Sequence, residues 1–101
     1  MESYNKLVRN NIPEILDGKG VTYEKRIASP EEYKSELIKK LTEEVTEFTE
    51  ACGDIGELAD VLEVIEALKK LPEYQAVEEI RLKKLAERGG FDQGIILKGE
   101  K

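Results

Sequence analysis

The sequence predicts an all-α fold in which an antiparallel helical hairpin completes a four-helix bundle within an oligomer. Two observations predict it: apolar side chains recur every three or four residues along most of the chain, and helix-capping residues separate these runs. The chain has 101 residues, of which 40% are hydrophobic and 38% charged, so we expect a single domain over residues 1–101. A chain this short forms only a small core, and association would help to stabilise it.

The N-terminal part of the chain predicts a short helix followed by an extended segment. Pro13 fits the first turn of a helix, and residues 17–20 have the glycines of a turn. Apolar residues alternate over residues 21–27, which favours a strand, and the β-prone residues 95–97 could pair with it. A minor two-stranded β piece is therefore possible beside the helices.

The middle of the chain predicts two long helices joined by a tight turn. Ser29 can cap the first helix, whose apolar side chains follow helical spacing as far as Cys52. Cys52 is interpreted as a small buried apolar residue, and Gly53 is expected to end the helix. Asp54 can cap the second helix. Because the connection is short, the two helices should form an antiparallel hairpin.

The second helix of the hairpin is expected to reach Leu71, and a third helix to start behind Pro72 and end at Arg88. Residues 57–71 are apolar around most of the helix circumference. A helix of that kind must be buried, so the sequence predicts at least a homodimer whose helices complete a bundle.

Composition excludes several classes of function. The 22 acidic and 16 basic residues give a net charge of -6, which argues against a nucleic-acid polymer or an anionic membrane as partner. The N-terminus has no apolar signal core, so we expect a cytoplasmic protein. Histidine is absent and Cys52 is the only cysteine, which excludes histidine-based triads and cysteine-cluster zinc sites. Any catalysis would therefore depend on carboxylates, Lys, Arg, Tyr or a hard metal ion of the Mg²⁺ type.

Two groups of carboxylates fall on the helices of the predicted hairpin. Residues three apart share a helix face, which pairs Glu44 with Glu47 and Glu57 with Asp60. Asp60 also lies at the edge of an apolar face, where an ionised carboxylate needs a cation or strong hydrogen bonds.

Counting residues back from the turn places Glu47 level with Asp60 or Val61, and Glu44 level with Glu63 or Val64. Like charges this close cannot all stay ionised without a cation, and oxygen ligands suit Mg²⁺ or Mn²⁺. The alternative is that these acids are a solvated helix surface and that Glu57 only completes a capping box.

Basic residues near both ends of the chain are candidates for binding phosphate. They are Lys6 and Arg9 near the N-terminus, and Lys83, Lys84 and Arg88 near the C-terminus. For the last three, the alternative is charge complementation at a helix end, worth about 0.3–1 kcal/mol each.

The acidic motifs resemble a known family. Glu43-Glu44-x-x-Glu47 followed by Glu57-x-x-Asp60 is similar to the signature of the MazG-like all-α nucleoside triphosphate pyrophosphohydrolases. The segments at 6–13 and 88–91 resemble a small branch of that superfamily, labelled phosphoribosyl-ATP pyrophosphohydrolase-like. Asn10 and Asn11 depart from that branch, which usually has an acidic and a basic residue there.

The resemblance implies cleavage of a nucleotide between its α and β phosphates, with Mg²⁺ as cofactor. It implies that the metal is held by four carboxylates, those of Glu44, Glu47, Glu57 and Asp60. It also implies a homodimer or a dimer of dimers. A further acid could orient or deprotonate the attacking water. We expect Glu63 rather than Glu43 in that role, because Glu43 points away from the Glu44 face.

Two other functions remain open from the sequence. One is a non-catalytic helical dimerisation or regulatory module that uses the same amphipathic hairpin and treats the acids as surface. The other is a hydrolase of phosphoribosyl-ATP.

Overall fold

A computed structural model describes residues 5–100, and that part of the chain folds into four α-helices with no strand. The helices are α1 (Ile12–Gly18), α2 (Pro30–Glu50), α3 (Ile55–Lys69) and α4 (Val77–Arg88), with a 3₁₀ turn (Pro72–Tyr74) before α4. The predicted all-α fold is confirmed. Within residues 5–100, no helix has both the length and the apolar character needed to cross a membrane.

The possible two-stranded β piece is absent. Residues 21–28 and 95–100 have no regular secondary structure, because neither segment has a neighbouring strand with which to pair. Ile27 is 94% exposed, and the nearby side chain of Arg26 instead holds Glu32 of α2 at 2.5 and 2.6 Å. The alternating pattern of residues 21–27 therefore does not correspond to a buried face.

The α2–α3 hairpin forms as predicted, but α2 ends early. Ser29 Oγ accepts from the N–H of Glu32 at 3.3 Å, and Asp54 Oδ2 accepts from the N–H of Glu57 at 3.3 Å, so both predicted caps are present. Helix α2 stops at Glu50 because Cys52 takes a left-handed conformation with φ 55°. Cys52 is also exposed, so the interpretation of this residue as buried is wrong.

The connection between α3 and α4 is longer than predicted. Helix α3 ends at Lys69, and α4 begins at Val77 rather than directly behind Pro72. The side-chain amide of Gln75 donates to the carbonyl oxygens of Lys70 and Leu71 at 3.3 and 3.2 Å. The Leu71 carbonyl also accepts from the backbone N–H of Tyr74 at 3.0 Å, so these bonds stabilise the turn that separates the two helices.

The hydrophobic core lies between α2 and α3 and is small. In the described part of the chain the buried apolar residues are Leu37, Val61 and Val64. The radius of gyration is 17.9 Å, whereas a compact domain of 100 residues has about 13 Å. Many large apolar side chains of α3, α4 and the C-terminal segment are exposed. Such a surface is what the predicted oligomer requires, and oligomerisation itself stays a prediction.

Candidate metal centre and adjoining cavity

Three carboxylates meet between the two helices of the hairpin. Glu44 of α2 and both Glu57 and Asp60 of α3 each place an oxygen within 4.8 Å of the other two. Residue counting predicted Glu44 level with Glu63 or Val64. The early end of α2 at Glu50 shortens that arm of the hairpin, so Glu44 approaches Glu57 and Asp60 instead.

Two of the three carboxylates hold a buried oxygen that has no hydrogen-bond partner. Glu44 is 7% exposed, and its Oε2 and the Oε2 of Glu57 are unpaired among the residues described. An unpaired buried carboxylate oxygen costs free energy unless a cation or a donor compensates it. The two oxygens and the neighbouring Asp60 are hard ligands of the kind that Mg²⁺ and Mn²⁺ prefer. The residues present therefore fit a divalent cation.

The electrostatics of Glu44 agree with that fit. Burial raises the pKa of Glu44, and the negative charge of nearby Glu47 raises it further. Lys40, one turn earlier on α2, places its Nζ 3.5 Å from Glu44 Oε1 and partly offsets the effect. The excess of negative charge at Glu44 is therefore only partly neutralised by the protein itself.

The N-terminal segment, residues 5–11, brings two further cations to the acids. Arg9 Nη2 donates to Asp60 Oδ1 at 2.7 Å, and Lys6 Nζ lies 3.1 Å from Glu43 Oε1. The Lys6 hydrogen bond lowers the pKa of Glu43, and the same contact raises the pKa of Lys6. Both residues were predicted to bind phosphate, and the structure places them at the rim of the carboxylate group.

A cavity of about 600 Å³ adjoins the carboxylates. The acids Glu44, Asp60 and Glu63 line it together with Arg9 and Lys40. The rest of the lining is mixed. It includes apolar residues of α1, α2 and α3, the aromatic ring of Tyr33, and the side-chain amides of Asn10 and Asn11.

The other predicted site residues lie outside the group of three. Glu47 is exposed and close enough to Glu44 to act on its pKa. Lys83 and Lys84 are exposed on α4 and do not line the cavity formed by the described residues. Arg88 borders a different hollow formed with residues 89–96.

Sequence analysis missed two cations that line the cavity, Lys70 and, in contact with the acids, Lys40. The side chain of Lys40 is 18% exposed, it lines the cavity and it lies 3.4 Å from Glu43 as well as 3.5 Å from Glu44. The available signal was its position four residues before Glu44 on one helix face.

Comparison with known proteins identifies no relative: no family model matches the chain, and no curated protein or solved structure is significantly similar to it. The assignment of a function therefore depends on the geometry of the site and on the motif resemblance.

Proposed function

We propose that this chain is a Mg²⁺-dependent nucleotide pyrophosphohydrolase that splits a nucleoside triphosphate between the α and β phosphates, giving a nucleoside monophosphate and pyrophosphate. The observation that carries the proposal is the group formed by Glu44, Glu57 and Asp60, with two unpaired buried oxygens, at the edge of a cavity of about 600 Å³. Its motifs resemble those of the MazG-like superfamily, which supports the same activity.

The carboxylates of the hairpin form the proposed metal site. Glu44, Glu57 and Asp60 would hold the ion, and Glu47, beside Glu44, would supply the fourth carboxylate implied by the resemblance. When bound, Mg²⁺ neutralises phosphate charge and makes water more acidic.

Glu63 is the better candidate for the residue that accepts the proton of the attacking water. It lines the cavity, and no ion pair of the described residues involves it. Glu43 is held by both Lys6 and Lys40, and its lowered pKa makes it a weaker base. Water then forms a bond to phosphorus, its proton passes to Glu63, and the α–β anhydride bond breaks as pyrophosphate leaves.

Cations at the cavity hold the phosphates in this proposal. Arg9, Lys40 and Lys70 line the cavity, whereas Lys6 pairs with Glu43 outside its lining. Positive groups there offset the charge that develops on the leaving pyrophosphate. Lys83, Lys84 and Arg88 do not line this cavity, so their predicted role in phosphate binding requires α4 of a second copy.

The test is a pyrophosphate-release screen over ribo- and deoxyribonucleoside triphosphates and phosphoribosyl-ATP, with Mg²⁺, with Mn²⁺ and with EDTA. We expect metal-dependent release from at least one compound, its loss in Glu44→Gln, and its retention in the control Glu66→Gln on the exposed side of α3. Failure of every compound in the screen would refute the proposal. Release from phosphoribosyl-ATP alone would instead identify the narrower hydrolase.

A structural module is the second candidate, and one observation favours it. Asp60 has a protein partner in Arg9 at 2.7 Å, so a role in holding the N-terminal segment would explain this acid without a metal. Asp60→Asn distinguishes the two functions. If the chain is the enzyme, Asp60→Asn should keep its fold and lose metal binding and pyrophosphate release. If the chain is the module, Asp60→Asn should be destabilised and its response to Mg²⁺ unchanged. Glu50→Gln at the end of α2 is the control for both outcomes.

A further inference from the structure

Arg9 lies where the proposed metal site meets the cavity. Its Nη2 bonds Asp60 Oδ1 at 2.7 Å, and its side chain also lines the cavity where a phosphate would lie. Asp60 belongs to the group of carboxylates that fits a divalent cation. One guanidinium therefore lies within reach of two different anions, the Asp60 carboxylate and a phosphate in the cavity.

The Arg9–Asp60 pair has the features of a contact that can exchange. A single donor makes it, whereas an arginine that binds a carboxylate permanently often uses two. The side chains of Arg9 and Asp60 are 56% and 42% exposed, so water competes for both. Arg9 also belongs to a segment outside the helices, so the guanidinium can change partner without disturbing helix packing.

Charge decides the direction of that exchange. Arg9 contacts one of the three carboxylates from outside the hairpin. Lys40, which also contacts one of them, is on α2 itself, and Lys6 pairs with Glu43, which is not one of the three. A divalent ion on the carboxylates repels a guanidinium and withdraws charge from Asp60. A phosphate in the adjoining cavity attracts the same guanidinium and offers it a bidentate partner.

We propose that Arg9 is a displaceable counter-ion of the metal site: it competes with the divalent ion for Asp60 and, once displaced, binds the phosphate of the substrate. This inference rests on the proposed function and adds to it a coupling between metal binding and phosphate binding. By linkage, each ligand then strengthens the binding of the other.

The first test is calorimetric titration of the full chain with Mg²⁺ or Mn²⁺ and no nucleotide. Arg9→Gln should bind the metal about two- to fivefold more tightly than the wild type, the gain expected from removing a partly exposed ion pair from Asp60. Arg26→Gln is the matched control, because it removes the same charge from a similarly exposed arginine outside the helices, at a contact with Glu32 away from the carboxylates. It should leave the metal affinity close to the wild-type value.

The second test measures the binding of inorganic pyrophosphate with and without saturating Mg²⁺. With Mg²⁺, Arg9→Gln should bind pyrophosphate about tenfold more weakly than the wild type, as expected for the loss of one charge-assisted contact. With EDTA in place of Mg²⁺, the two proteins should differ by less than about twofold, because Arg9 is then engaged by Asp60.

Three results would overturn the inference while leaving the proposed function intact. They are unchanged or weaker metal binding in Arg9→Gln, equal tightening in Arg26→Gln, and a loss of pyrophosphate affinity that is the same with and without Mg²⁺. Absence of metal binding in the wild type and in both variants would instead refute the proposed function, and the inference with it.

Discussion

Replacing Glu44 by glutamine tests the candidate metal centre most directly. The change keeps the size and shape of a side chain that is 7% exposed and removes its charge. If the three carboxylates form a cation site, the EDTA-treated variant should be more stable than the wild type, because like charges no longer oppose one another. The same variant should lose the stabilisation that Mg²⁺ gives to the wild type.

The expected size follows from the distances at the site. Glu44 has two carboxylate neighbours within 4.8 Å, and each such pair repels by about 1 kcal/mol even with the screening of water. The substitution also loses the contact of Lys40 with Glu44 at 3.5 Å, which is worth about 0.5 kcal/mol. The net gain in the free energy of unfolding is about 1.5 kcal/mol, or about 6–12 °C in Tm.

The pH dependence has a definite sign. Because the pKa of Glu44 is raised in the folded protein, the fold favours the protonated side chain. The free-energy cost of ionising Glu44 in the folded protein is therefore absent below the ordinary glutamate pKa of about 4.3, and it grows as the pH rises above that value. The advantage of Glu44→Gln over the wild type should accordingly vanish below about pH 4 and grow as the pH rises through the raised pKa of Glu44.

The assay is thermal unfolding in EDTA and in Mg²⁺ across that range of pH, with Glu66→Gln as the control. Glu66 is an exposed acid of α3 that pairs only with Lys69 in the described residues, so its loss should change Tm by no more than about 2 °C. A Glu44→Gln protein that is destabilised in EDTA and still responds to Mg²⁺ would refute the reasoning.

Three further predictions concern the whole chain. Mg²⁺ or Mn²⁺ at ten times its Kd should stabilise the wild type by about 1.4 kcal/mol in a thermal melt, and NaCl of equal ionic strength should not; equal effects would indicate general screening without a site. Light scattering at micromolar concentration should find at least a homodimer, since the exposed apolar surface of α3 and α4 needs cover; a stable monomer would contradict this. Cys52→Gly should raise Tm by about 3 °C, because relief of the left-handed strain exceeds the entropy that glycine adds to the unfolded chain. A lower Tm would contradict this prediction, because it would show that the side-chain contacts of Cys52 stabilise the fold by more than the left-handed strain destabilises it.

The helices were predictable because their signals are local. Ser29 and Asp54 cap α2 and α3 as their sequence contexts indicate, and the apolar spacing marks both helices of the hairpin. The strand predicted over residues 21–27 does not form, because a strand, unlike a helix, depends on a partner elsewhere in the chain. Alternation over seven residues is also too short a signal to indicate by itself that one face is buried.

The site was predictable as a set of acids but not in its register. Spacing on each helix paired Glu44 with Glu47 and Glu57 with Asp60, but residue counting placed Glu47 rather than Glu44 level with Asp60, whereas the structure groups Glu44 with Glu57 and Asp60. Which acids meet depends on where α2 ends, and that depends on the left-handed conformation of Cys52, a residue with no strong preference for it. Lys6 and Arg9 contact acids that are 37 and 51 residues away in sequence, and no local sequence pattern predicts such contacts.

Part of the positive charge that faces the acids of the hairpin comes from the N-terminal segment, residues 5–11, rather than from the hairpin itself. Helices α2 and α3 together carry the acids that converge, and Lys40 is the helix cation that faces them. The remaining compensation comes from Lys6 and Arg9, which are held by side-chain contacts rather than by helical structure. Lys40 is on α2 itself, whereas Arg9 belongs to a segment outside the helices and is the cation that we propose a metal ion displaces. Under the proposed function, a cation fixed at Asp60 would oppose the metal permanently, and a displaceable one would allow metal and phosphate to bind together.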